Sequence, residues 1–174
     1  MKTRNLVLMA LLIALHIVLA EGLAIRLADI KISLSFIPLS IMAMLFGPIY
    51  TAIGMVVSDV LGLIIFPPAG PPFIGFTISS GLTGFIYGFF LYKKKDVPKK
   101  IYLLKIICTC LLVNLFVNSI LNTYWLTFFG TAFWATLPLR VGKNIIFIFI
   151  QGITIYFINP HINYKKILNI NDYN

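Results

Sequence analysis

Three asparagines spaced by four, Asn114, Asn118 and Asn122, stand in an otherwise apolar run of this 174-residue chain. On a helix that spacing stacks their amides up one face. Tyr124 and Trp125 follow at once. Beyond an aromatic stretch containing Gly130, Pro138 opens another apolar helix that carries Arg140, Lys143 and Asn144 in its first turns. Amides offer donors and acceptors to a planar heterocycle, aromatic rings offer faces to stack on, and Arg and Lys meet carboxylates. Gathered at neighbouring helix ends, these groups describe a pocket for a flat, hydrogen-bonding, anionic ligand. Taken singly, the asparagines also serve as interhelical hydrogen bonds, and Tyr124 and Trp125 as interface anchors. Their co-location favours a site.

The elements that must position these groups are membrane spans. Hydrophobic residues make up 60% of the chain and charged residues 11%, with a mean hydropathy of +0.98. Ordinary soluble domains run nearer half apolar and a quarter charged. The expected class is therefore an all-α integral membrane protein forming a single domain over 1–174. A net charge of +9 points to nucleic acid in a soluble chain, but here it reflects basic cytoplasmic loops. Cys108 and Cys110 lie two apart on one helix, so they face different ways and are poorly placed to pair.

Along the chain the apolar runs are 5–24, 36–46, 49–66, 73–92, 101–125 and 137–160, which predicts six transmembrane helices. The first is a retained span rather than a cleaved leader. Segment 36–46 is only ~16 Å long as a helix, against a hydrocarbon core of ~30 Å. Gly47-Pro48 separates it from 49–66, and charge parity decides that these count as two spans. Two spans put the loop from Lys93 to Lys100, with five lysines, on the same side as both termini. This agrees with the positive-inside rule, so both termini are expected in the cytoplasm. Arg26, Lys31, Arg140 and Lys143 then fall at the extracellular end, against the topological bias, which places the pocket there. Asp59 is the carboxylate expected at membrane depth. It either pairs with Lys143 or Arg140, as a buried charge requires, or accepts hydrogen bonds from an amino-pyrimidine edge.

Other chemistries leave no trace in the chain. It has no GxxxxGK phosphate loop, no HExxH, no paired glutamates and no Ser/His/Asp set. His16 has no second His or Cys at metal spacing, so it reads as a packing residue, and neither metal nor cofactor is expected. Six helices without an evident inverted repeat differ from an ordinary secondary transporter. A small non-enzymatic binding subunit that borrows its energy fits better. Ala10 and Ala14, and again Ala20 and Ala24, are small residues one turn apart that allow close helix approach.

Several stretches together resemble a known family. These are MALLIALHIVL, IKISLSFIPLSIMAMLFGPIY, Ser58-Asp59 with Leu61-Gly62, PPFIGFTISSGLTGFIYGFFLY, LNTYWLTFFG and LPLRVGKN, which span nearly the whole chain. They are similar to the folate-specific substrate-binding (S) components of energy-coupling factor (ECF) transporters, the vitamin-import ABC systems of prokaryotes. The resemblance implies a six-helix subunit of the cell membrane that captures folate outside. It further implies docking on a membrane coupling subunit driven by two cytoplasmic ATPases, and toppling to release cargo inward. Arg26, Asn118, Asn122, Trp125, Arg140 and Lys143 match the ligand-binding positions, and Ala10 and Ala14 the docking surface. Asp59 and Tyr124 join the candidate substrate-binding set from their own chemistry. Alternatives are an S component for thiamine or riboflavin, a membrane scaffold, or a small intramembrane enzyme.

The topology is directly testable. With single cysteines at Asp96 and Ala69, an impermeant thiol reagent applied to intact cells is expected to label position 69 alone. Labelling at 96 would break the six-span arrangement.

Overall fold

The computed structural model describes residues 3–27, 30–67, 72–92 and 98–158, and for 25–27 and 30–32 the backbone alone. The apolar runs fold as helices because a backbone in hydrocarbon must satisfy its hydrogen bonds within its own segment. Helix α1 (Thr3–Ile17) continues through a π-helical turn, Val18–Gly22, closed by the Leu23 amide donating to the Val18 carbonyl at 2.9 Å. A short antiparallel hairpin follows, β1 (Ile25–Leu27) with β2 (Ile30–Ile32), in which Arg26 stands opposite Lys31. No apolar run of the sequence covers 25–35, so a loop was expected there. The hairpin's Ile-Arg-Leu and Ile-Lys-Ile triplets carry the two-residue alternation of strands.

Helix α2 (Phe36–Ile65) is broken at Gly47, whose φ of 78° and ψ of −173° lie outside the helical region. A positive φ is cheap only for glycine, and the following Pro48 lacks an amide donor and disfavours helix before it. The break falls between the apolar segments 36–46 and 49–66. Helix α3 spans Ile74–Leu91, and α4 (Lys99–Leu111) passes into a π-helical segment, Leu112–Leu121, and then α5 (Asn122–Thr127). Helix α6 covers Phe133–Ile158. It begins before Pro138, which was expected to open it, so Pro138 sits inside the helix and forgoes a bond to the Trp134 carbonyl. Five helical stretches among the described residues are long and apolar enough to cross a membrane. The expected loops at 67–72 and 93–100, and the tail with Lys165 and Lys166, lie largely or wholly outside the described residues.

Packing is tightest between α2 and α3. A methyl group on Gly88 would overlap Pro48 Cα and lie 2.7 Å from the Gly47 carbonyl oxygen. One on Gly84 would lie 2.6 Å from the Thr51 carbonyl oxygen. Glycine at these steps lets the two backbones touch. Around this contact Met42, Met44, Leu45, Leu91, Ile106 and Cys110 are almost wholly buried. That core fills the end of the bundle holding the Gly47 corner and the start of α4. Outward faces are apolar throughout, as in Leu6, Ile64, Ile74 and Phe149, each at least 60% exposed. Together with the spans, this exterior is that of a membrane protein.

The contact yields a paired expectation. Gly88→Ala should lower thermal stability in detergent by about 1–3 kcal/mol through overpacking. Gly142→Ala, whose methyl meets nothing within 4 Å, should be neutral or slightly stabilising through helix propensity. Equal effects would show that the glycines do not set the α2–α3 distance.

Candidate functional site

Bordering the packed core at Leu39, Met55, Tyr87 and Val113 lies a cavity of about 390 Å³. Its floor is a knot of buried amides. Asn114 Nδ2 donates to Gln151 Oε1 at 2.7 Å and to the Cys110 carbonyl at 2.9 Å, and the Tyr87 hydroxyl donates to the same Gln151 oxygen at 3.2 Å. Asn144 Nδ2 reaches from α6 to the Asn114 carbonyl at 3.0 Å and to Ser119 Oγ at 2.8 Å. The Ser119 hydroxyl donates to that same carbonyl at 2.8 Å. These side chains act within the π-helical segment, where the backbone ladder shifts to i→i+5. Groups inserted into a helix ladder distort it in this way, and π-segments concentrate at functional sites.

Above the floor the walls differ in chemistry. Helix α6 contributes Arg140, Lys143 and Phe147 on one stripe, with Lys143 Nζ 5.8 Å from the Phe147 ring centre. The π-segment and the start of α5 contribute Asn118 and Asn122, whose side chains approach at 3.4 Å. Asn122 Oδ1 is buried without a hydrogen-bond partner among the described residues. An unmet buried acceptor is costly, so this oxygen is poised for a donor on a bound molecule. From the other side come His16 and Glu21 of α1 and its π-turn, Asp59 of α2, and Ser79, Ser80 and Thr83 of α3. The cavity is therefore bipolar, with cations on α6 and carboxylates on α1 and α2. A second lobe of about 330 Å³ adjoins it between His16, Glu21, Ser58 and Asp59.

Five of the eight expected ligand residues line the cavity: Asp59, Asn118, Asn122, Arg140 and Lys143. Asp59 was expected either to pair with Arg140 or Lys143 or to accept hydrogen bonds from a ligand's amino-pyrimidine edge. The Thr77 hydroxyl donates to its Oδ2 at 2.7 Å, and the carboxylate lines the cavity together with Arg140 and Lys143. Trp125 stands one residue back from the cavity. Its indole N–H donates to Ser79 Oγ at 3.0 Å, and its ring packs 5.6 Å from Phe73. Tyr124 is 50% exposed and meets Phe128 edge-on at 5.7 Å, facing away from the cavity. Tyr124 and Trp125 pack on each other at 5.3 Å and both reach the Phe128 ring, but only the Trp125 indole bonds a cavity-lining side chain, Ser79. Arg26 belongs to β1 by its backbone, and its side chain lies outside the described residues.

Sequence reasoning missed Tyr87, Gln151 and the α3 hydroxyls. Gln151 had a signal, since Arg140, Asn144, Phe147 and Gln151 recur at steps of four, three and four along one face. His16, read as packing, bonds Ser58 Oγ through Nδ1 at 2.8 Å and lines the cavity as well.

The family model of the substrate-specific component of ECF transporters matches residues 4–159. The chain belongs to that family. Its fold and sequence place it among components of transport rather than catalysis. It is similar to the folate transporter FolT of Clostridium novyi (strain NT), with 37% identity over 169 residues covering 97% of this chain and 95% of that one. It is also similar to the folate transporter FolT of Leuconostoc mesenteroides subsp. mesenteroides, at 33% identity, covering 93% and 88% respectively. A solved structure described as FolT bound with folic acid superposes with a TM-score of 0.78 at 38% identity, covering 90% of this chain and 91% of that one.

The floor and the wall predict opposite responses to the same substitution. Asn114→Ala should cost about 1–3 kcal/mol of stability, because it strips partners from a buried network. Asn122→Ala removes that unmet acceptor together with only the long 3.4 Å bond to Asn118, so the ligand-free protein should melt at nearly the same temperature or higher. Thermal unfolding in detergent checks both, and a large loss from Asn122→Ala would contradict the unmet acceptor.

Proposed function

We propose that this protein is the high-affinity folate-binding S component of an ECF-type ABC importer of the cell membrane. The observation that carries this reading is the bipolar cavity. Arg140 and Lys143 share it with Asp59 and a row of amides and hydroxyls. Folate is bipolar in the complementary sense, with an amino-pterin that donates and accepts hydrogen bonds and a glutamate tail bearing two carboxylates. About 390 Å³ suits a ligand of this class. The names of the similar FolT proteins agree. Asn118 and Asn122 bond the heterocycle or its linker, while Trp125 stiffens the α3 wall through Ser79. Arg26, which the resemblance matches to a ligand-binding position, is proposed as a third cation for the tail.

The arrangement we infer has six spans, because the Gly47 break makes two helices of α2, with both termini cytoplasmic and the cavity facing out. Capture requires no internal energy source. Delivery requires docking on a membrane coupling subunit powered by two ATPases. Ala10 and Ala14 are both exposed rather than packed against the chain's own helices, which supports their role in that contact.

Binding and uptake measured on the same variants test both halves. Arg140→Ala or Arg26→Ala should weaken folate binding roughly ten- to a hundredfold, the worth of a lost charge-assisted contact of about 1.5–3 kcal/mol. Pteroate, which lacks the glutamate, should be barely affected. Ala10→Trp or Ala14→Trp should leave folate affinity nearly unchanged yet abolish ATP-dependent uptake in cells expressing the coupling module. If the cation variants bind folate as wild type does, the ligand lies elsewhere. If the tryptophan variants also lose binding, the alanines serve the fold instead.

A further inference from the structure

A second concavity has no part in the site above. Between α4 and α6 the bundle surface carries a groove of about 770 Å³. Its floor is Ile106 and Cys110, both fully buried, and its walls are almost entirely hydrocarbon. At one end stand Lys99 and Lys100, the exposed first residues of α4. From Lys99 to Cys110 the helix rises ~16 Å, about half the thickness of a ~30 Å hydrocarbon core. The groove thus runs from headgroup depth to mid-membrane, with its charge confined to the outer end.

Gly152 gives the second observation. In a membrane helix, glycine usually marks the close approach of another backbone, as Gly84 and Gly88 do in α3. A methyl group on Gly152, in contrast, would meet nothing within 4 Å. The notch it leaves opens into the groove, unfilled by any described part of the chain. A helix from a protein partner would meet two lysines with nothing polar beneath them except Tyr156 and a buried thiol. A phospholipid matches the layout element by element, because an anionic phosphate sits above a flexible apolar chain. Basic pockets between helices at the cytoplasmic side suit anionic headgroups.

We propose that the α4–α6 groove is a binding site for an anionic phospholipid, its phosphate held by Lys99 and Lys100 and one acyl chain lying over Gly152. Each surface lysine is worth roughly fivefold in affinity for an anionic headgroup, so the pair is worth roughly twenty-five-fold. The inference does not depend on which vitamin the cavity binds.

Native mass spectrometry of the full chain in detergent tests this with phosphatidylglycerol and phosphatidylcholine of identical acyl chains. Wild type should retain phosphatidylglycerol at least tenfold better. Lys99→Gln/Lys100→Gln alters exposed residues only, and it should erase that preference. Gly152→Leu should lower retention of both lipids while leaving their ratio unchanged. Equal retention by wild type, or a preference that survives the double lysine variant, overturns the proposal. A protein occupant would show differently. If the purified coupling subunit shields Gly152→Cys from a maleimide and phosphatidylglycerol does not, the groove is a docking surface and the lipid site is wrong. If Gly152→Leu fails to fold, the lysine comparison decides alone.

Discussion

The site depends on one exchange of hydrogen bonds, the Asn144 amide donating into the Asn114 carbonyl and to Ser119. An amide buried among helices in a membrane must be met, and an unmet one costs far more than a met one contributes. Once Asn144 is inserted, the register of α6 against the π-helical segment is set. That register carries Arg140 and Lys143 to the cavity on the stripe that holds Asn144 and Gln151. It also turns Asn118 and Asn122 towards the same space. Through Gln151 and the Tyr87 hydroxyl the knot reaches α3, so three of the cavity's walls share one floor.

The two ends of the bundle solve different problems. At the end with the Gly47 corner, glycines bring α2 and α3 into backbone contact, and methionine, leucine and tyrosine fill what remains. At the other end the helices splay around polar groups that the chain satisfies only in part. Asn122 Oδ1 is the clearest case. Rigid packing below and an incomplete polar lining above are what a binding component needs, and the fold tolerates the polar groups it leaves unmet.

Much of this was legible in the amino-acid sequence. Gly47-Pro48 announced the helix break through two local rules, positive φ for glycine and no helix before proline. The spacing of Asn114, Asn118 and Asn122 announced a shared face, and all three line the cavity. Arg140 and Lys143 stood out because cations are rare in apolar helices. What was not legible came from partners far apart in the chain. The bond from Tyr87 to Gln151 joins residues 64 positions apart, and no periodicity within one helix encodes it. The π-helical segment coincides with Asn144 and Ser119 reaching the Asn114 carbonyl, and residues 112–121 alone read as ordinary helix. The Thr77 hydroxyl that meets Asp59 comes from the adjacent α3, and no spacing within α2 encodes it. Tyr124 and Trp125 were both candidates for the ligand, but only the Trp125 indole reaches Ser79 on α3.

The central claim is that this cavity selects folate. The measurement that bears on it most directly is a competition for the purified protein. The protein, freed of bound ligand, is equilibrated with equimolar folate, riboflavin and thiamine and then washed. The retained compound is extracted and identified by its ultraviolet and mass spectra. The account predicts folate alone, at one molecule per protein. Retention of riboflavin or thiamine in its place, or of none of the three, would contradict it.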